Sequence, residues 1–294
     1  MKLFPILLGA LALAFAAPRA QAEDPAGKPL SLSFGVYQTD KATEMYKRFT
    51  PLLETLQDDV GKRLNRSTDI GLTIFKSYDD AIDALVNGKV DFVHFGPASY
   101  ITAKARRPGI ELLAMEHENG EKRFKGVIFV AKDSPIQTLE DLRGKRFAFG
   151  DRNSTIGRYL VQATLVDNNI FAKDIAGFPN LTYLERHDQV ASAVEHGDFD
   201  AGSVKFSTFK KANEKNTLRS IATFDNVTKP LVAREGLDHA VFAAIQQSLF
   251  EFKDAAVLKE LKIGGFMPTS DDEYKFVREG MKKAEEFEKK ITKN

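Results

Sequence analysis

The chain has 294 residues, 43% hydrophobic and 28% charged, with a formal net charge of +1, the balance of an ordinary globular protein of one or two domains. It contains no cysteine, which excludes disulfides, thiolate metal sites and a lipid-modified cysteine. No block of Lys and Arg is dense enough to suggest nucleic acid, and 23 Phe against 0 Trp predict a Phe-rich core.

Residues 1–22 read as a cleavable secretory signal peptide. Lys2 gives a positive start, 5–17 are apolar, and Ala20-Gln21-Ala22 is a small-x-small cleavage site before Glu23. A spanning helix needs about 20 apolar residues, so this stretch predicts export to the periplasm, not membrane embedding. After a polar entry segment, 30–37 (LSLSFGVY) reads as a strand. Over 43–64, Met45, Phe49, Leu52, Leu53, Leu56, Val60 and Leu64 recur at helical spacing, with a kink expected near Pro51. A strand at 70–75, a helix at 79–89 stopped by Gly88, and a buried strand at 90–96 follow. Pro97 opens the next helix, and 110–116 and 124–132 are strands.

The same grammar returns further along. A strand (145–149), a helix from Thr155, a strand (181–185), a helix (187–197) and a strand (199–204) succeed one another. The runs 82–96 and 191–205 both read helix, glycine stop, Asp-bearing strand, which suggests two similar lobes. Strands near 220 and over 228–234 lead to helices at 239–252 and 271–291, the last so charged that it reads as a solvated face. Alternating strands and helices predict an α/β fold with largely parallel sheets.

In such sheets ligands bind beyond the carboxyl ends of strands, at the starts of the following helices. Tyr37, Tyr78, Gly96 to Tyr100, Ser154 to Gly157, His187 and Val204 to Lys205 occupy those places. The run Asn153-Ser154-Thr155 puts side chains with capping oxygens at a helix start. Capping alone explains them, yet a helix start also offers free N–H donors and about half a positive charge, which suits an anion.

The runs 78–103 (YDDAIDALVNGKVDFVHFGPASYITA), 125–161 and 187–202 (HDQVASAVEHGDFDAG) together resemble the PhnD-like periplasmic substrate-binding proteins of phosphonate and phosphite ABC transporters. The resemblance implies a two-lobed type II periplasmic binding protein fold with the ligand cleft between lobes. It places lobe 1 at 23–126, lobe 2 at 127–228, and a return to lobe 1 with C-terminal helices at 229–294. It further implies that Ser154 and Thr155 bind an oxyanion with hydroxyls and backbone N–H groups, that the N–H of Ile156 adds a donor, and that Tyr78 and His187 contact the ligand. Tyr100 and the Gly96–Ser99 backbone lie on the lobe 1 rim, Tyr37 follows the first strand, Phe124 replaces a hydroxyl-bearing aromatic, and Lys205, Ser207 and Lys229 stand in the comparable stretches. Aminophosphonate-binding members hold the ammonium with acidic residues. No carboxylate here is clearly placed for that, Asp188 and Asp200 being the nearest choices, so a small anion without an ammonium is expected.

The function expected is capture of phosphonate, phosphite, phosphate or a similar oxyanion for delivery to an ABC transporter permease. The alternative is an oxyanion sensor that signals to a sensor histidine kinase. A periplasmic hydrolase using Ser154 and His187 is disfavoured: there is no G-x-S-x-G elbow and no evident orienting acid. The five histidines, His94, His117, His187, His196 and His239, show no metal-ligand spacing. His94 is expected in the core and His196 at a helix end. No cofactor, metal or catalytic residue is expected, and a receptor that keeps its cleft and both faces free is expected to be a monomer.

Overall fold

The computed structural model describes residues 28–289, so the expected signal peptide, most of the entry segment and the last residues of the chain lie outside the described residues. The elements run β1 (Leu30–Tyr37), α1 (Ala42–Leu64), β2 (Thr68–Phe75), α2 (Tyr78–Val86), β3 (Phe92–His94), α3 (Pro97–Arg106), β4 (Glu111–His117) and β5 (Arg123–Ala131). Then come β6 (Phe147–Ala148), a π-helical turn (Thr155–Leu160) that continues into α4 (Val161–Asp167), α5 (His187–Glu195), β7 (Ala201–Lys205), α6 (Phe206–Ala212) and β8 (Leu218–Val227). The chain closes with β9 (Pro230–Ala233), α7 (His239–Phe250), α8 (Ala255–Leu261), β10 (Gly265–Met267) and α9 (Lys275–Glu288).

Two sheets result, in the orders β10-β4-β9-β3-β1-β2 and β6-β7-β5-β8. The chain passes from the first to the second between β4 and β5, and returns between β8 and β9. The two crossing segments run side by side: Thr228 N–H donates to Lys122 C=O and Glu116 N–H to Lys229 C=O, each at 2.9 Å. The first sheet therefore ends at His117 and resumes at Pro230, while the second holds all of β5 from Arg123. Sequence-based lobe limits at 126 and 228 fall inside β5 and just beyond β8.

The sheets are not largely parallel. Only β1–β2, β1–β3 and β6–β7 pair parallel among the described strands. The pairings β10–β4, β3–β9, β4–β9, β5–β7 and β5–β8 are antiparallel. The strands on either side of each crossing cause this, because a chain that leaves a sheet and comes back through the same doorway reverses direction.

Burial follows the side-chain period. The predicted apolar stripe of α1 is buried, and Phe49 packs against Phe34 at 5.7 Å between ring centroids. In β5 the alternation is two-sided: Val127 and Phe129 face α5 and α6, while Ile128 and Val130 face α4. Each fully buried side chain of this kind stabilises by about 1.5–3 kcal/mol. The last helix is more than a solvated face. Val277, Gly280, Ala284 and Phe287 form a buried stripe, with Val277 and Ala284 in the core beside the first sheet and Phe287 in the core of the second. Helix α9 thus straps the lobes together. The expected strand at 181–185 is reduced to one bridge between Tyr183 and Phe149, and α6, α8 and β10 are additional elements.

Candidate functional site

A cleft of about 730 Å³ opens between the sheets at the carboxyl ends of their parallel strands. On the lobe 1 wall, Tyr37 ends β1 and Tyr78 opens α2, whose start is capped by Ser77 accepting from Asp80 N–H at 3.1 Å. The two tyrosine rings stack at 3.7 Å between centroids. Next to them Gly96 precedes α3, and Pro97 takes the first helical position, where its missing N–H costs nothing. Gly96 N–H donates to Tyr37 Oη at 2.5 Å, and a Cβ on Gly96 would lie 2.7 Å from that oxygen, so only glycine allows the contact. Burial raises the pKa of both tyrosines, which keeps them neutral donors.

The lobe 2 wall is the helix start after β6. Gly150 N–H donates to Gly157 C=O at 2.7 Å, and a Cβ on Gly157 would meet Gly150 Cα at 2.6 Å. This close approach of two glycines folds the intervening loop back onto the helix start. Asp151 Oδ1 accepts from Asn153 N–H at 2.7 Å, and Ser154 Oγ caps the helix by accepting from Gly157 N–H at 3.0 Å. Thr155 Oγ1 reaches across the cleft and accepts from Ala98 N–H, at the start of α3, at 3.0 Å. Two helix N-termini, one from each lobe, therefore meet at one end of the cleft. Their unpaired N–H groups and partial charges make that end attractive to an anion.

The remaining wall carries ionisable groups. His187 opens α5 with its Nδ1 buried and unpartnered, and burial lowers its pKa to about 4, so the ring is neutral at pH 7. His94 Nε2 lies 2.7 Å from Glu116 Oε1, and both side chains are buried. Burial works to raise the pKa of Glu116, but His94, Lys229 and Lys205 together hold it below its usual value. Lys205 ion-pairs with Glu118 and sits 4.3 Å over the ring of Phe124, which supplies a cation–π face where a hydroxyl was missed. Arg48 pairs with Asp40 at 3.0 Å and Arg186 with Asp188 at 2.9 Å.

Of the residues singled out from the sequence, Tyr37, Tyr78, Phe124, Ser154, Thr155, Ile156, His187 and Lys205 line this one cleft. Tyr100 does not. It is 1% exposed, its hydroxyl donates to Asp271 Oδ1 at 2.7 Å, and its ring packs on Tyr274, so it belongs to the core behind α3. Asp200 pairs with Arg146 at 2.7 Å, away from the cleft lining. His196 ends α5, its Nδ1 2.8 Å from Ser192 C=O.

Sequence reasoning missed Arg48, His94 and Glu116 as lining residues, and Lys229, noted there only as nearby, lines the cleft as well. Arg48 sits on a helix whose stripe announced only core.

Ser154 and His187 share no hydrogen bond among the described residues: the Ser154 hydroxyl is occupied as a cap and His187 Nδ1 has no partner. A nucleophilic serine needs its base within hydrogen-bond reach. No group of three or more candidate metal ligands gathers, and no helix is long and apolar enough to cross a membrane, among the described residues.

The phosphonates-binding periplasmic protein of Escherichia coli is 27% identical over 82% of this chain and 73% of its own length. The phosphate-import protein PhnD of Mycolicibacterium smegmatis is 23% identical over 60% of this chain, which spans 55% of that relative. Among solved structures, PhnD1 of Prochlorococcus marinus in complex with methylphosphonate superposes with a TM-score of 0.76 at 21% identity, over 88% of this chain and 99% of that one. This likeness establishes the two-lobed periplasmic binding protein fold. The family model described as the ABC transporter, phosphonate, periplasmic substrate-binding protein matches residues 34–274, and the chain belongs to that family.

Proposed function

We propose that this protein is a periplasmic receptor that closes on a small oxyanion of the phosphonate, phosphite or phosphate class and delivers it to an ABC transporter permease. The meeting of two helix starts across the cleft carries this reading. Thr155 and Ile156 N–H, the hydroxyls of Tyr37, Tyr78, Ser154 and Thr155, and the imidazole of His187 surround a space suited to a tetrahedral anion. Charge-assisted hydrogen bonds from such donors are roughly twice as strong as neutral ones. Lobe closure about the crossing segments would sequester the ligand, and delivery to a permease, not signalling to a kinase, accords with family membership.

The ligand carries no ammonium in this reading, because four carboxylates around the cleft are already paired, Asp40 with Arg48, Glu116 with His94, Glu118 with Lys205 and Asp188 with Arg186, and Asp151, which has no ion pair among the described residues, is engaged by Asn153 N–H. Export through the signal peptide and a monomeric state belong to the same proposal. Thermal-shift measurements with phosphate, phosphite, methylphosphonate, 2-aminoethylphosphonate, sulfate and amino acids test it. A ligand at a hundredfold excess over its Kd stabilises by about 2.7 kcal/mol. A shift with phosphorus oxyanions supports the reading; a shift only with amino acids, or with none of the phosphorus compounds, refutes it.

A further inference from the structure

Lys229 lies in the returning crossover between β8 and β9. Its carbonyl accepts from Glu116 N–H at 2.9 Å and that of Pro230 from Phe95 N–H at 3.0 Å, which pins the backbone between β4 and the end of β3. Its side chain lines the cleft with His94, Glu116 and His187. The other cations near it are paired: Lys205 with Glu118, Arg48 with Asp40, Arg186 with Asp188. Among the described residues the ammonium of Lys229 has no ion pair and no side-chain acceptor. Glu116 is the strongest source of opposite charge acting on it, but Glu116 lies 2.7 Å from His94 Nε2.

Burial lowers the pKa of Lys229. Glu116 and Asp40 pull it back up, Lys205 and Arg48 push it further down, and the balance stays low. An ammonium held half-buried in the cleft without an acidic partner is costly, and an arriving negative group offsets that cost. His187, which interacts electrostatically with Lys229, offers a second vacancy in its buried, unpartnered Nδ1. In the Nδ1–H tautomer it donates, so one ammonium and one imidazole N–H are available to the two oxygens of a carboxylate. Space is sufficient. A phosphonate headgroup fills on the order of 100 Å³, counting about 30 Å³ per water-sized group, whereas the cleft holds about 730 Å³.

Resting on the oxyanion reading above, we infer that Lys229, with His187, receives a second negative group on the ligand. The cleft then prefers phosphonates that bear a carboxylate over those with a neutral or ammonium tail. The headgroup occupies the helix starts and the carboxylate tail points to the crossover.

Calorimetric titration of the protein with 3-phosphonopropionate, propylphosphonate and 2-aminoethylphosphonate tests the inference, since the three differ mainly in tail charge. The carboxylate should bind about tenfold or more tightly than the neutral compound, and the ammonium compound most weakly. Lys229→Gln should reduce the carboxylate-to-neutral ratio to about threefold or less, and Lys229→Arg should restore it. Equal affinities in the wild type, or a ratio that survives Lys229→Gln, overturn the inference while propylphosphonate binding leaves the oxyanion reading standing. If no phosphonate binds the wild type, the oxyanion reading falls and takes this inference with it.

Discussion

The two helix starts that face each other across the cleft solve the same problem differently. The π-helical turn at Thr155 is capped from within by Ser154 Oγ, which accepts from Gly157 N–H at 3.0 Å. Helix α3 has a glycine at its cap position and no hydroxyl of its own there. It borrows instead: Tyr37 Oη accepts from Gly96 N–H, and Thr155 Oγ1 from the opposite lobe accepts from Ala98 N–H at 3.0 Å. One start is self-sufficient and the other depends on its neighbours. The dependent start ties lobe 1 to lobe 2, because one of its caps is a side chain of the opposite lobe.

Five changes break or sharpen this contrast. The largest effect should come from Gly157→Ala. Its new methyl would press on the Gly150 backbone, which cannot yield as a side chain would. We expect a loss of about 3 kcal/mol in urea unfolding and of ligand-induced stabilisation. Thr155→Val keeps the shape but leaves Ala98 N–H without its acceptor. It should cost about 2 kcal/mol, more than the loss of the internal cap.

A third change uses pH. His187 titrates near pH 4 in the folded chain and near its ordinary 6.5 when unfolded. As pH falls from 6.5 towards 4, the unfolded chain takes up the proton first, so stability is lost over that window and the loss is complete below it. Wild type should lose about 1.5 kcal/mol more than His187→Gln between pH 7 and 4.5, discounted for partial exposure. Equal acid sensitivity of the two would show that the ring is not desolvated.

In the ligand-free protein Ser154→Ala removes the internal cap and should cost about 1 kcal/mol of stability. If it costs more than Thr155→Val, the contrast between the two starts is wrong. Asp200→Asn, behind β7 and paired to Arg146, should change stability by about 0.5 kcal/mol and leave ligand affinity unchanged.

Much of this was readable in the sequence because the signals are local. The stripe of α1, the Pro97 helix start and the Ser154-Thr155 capping pair each follow from side-chain period or hydrogen-bonding chemistry. Asp254 before α8, which accepts from Ala256 N–H at 2.9 Å and Val257 N–H at 3.1 Å, was an equally local signal that went unread.

What escaped depends on parts of the chain far apart in sequence. Tyr100 follows Pro97 by three residues and so lies on the face of α3 turned to Tyr274, a direction set only once α9 and its preceding turn are in place. The apolar stripe of α9 is a minority among charges, and it gains meaning only because two lobes stand ready to cover it. The antiparallel pairings arise from where the crossovers return. Lys229 obeys no period at all, since its place is fixed by backbone hydrogen bonds to β4 and to the residue after β3.

The central claim is that the Ser154–Thr155 helix start holds an anion as well as capping a helix. Calorimetric titration of methylphosphonate into wild type and into the double variant Ser154→Ala, Thr155→Val tests it most directly. If the claim holds, wild type binds and the variant, shown to be folded by circular dichroism, binds about a hundredfold more weakly, because two hydroxyls are lost from a charged ligand. Equal affinities would contradict it and leave those hydroxyls as helix caps alone.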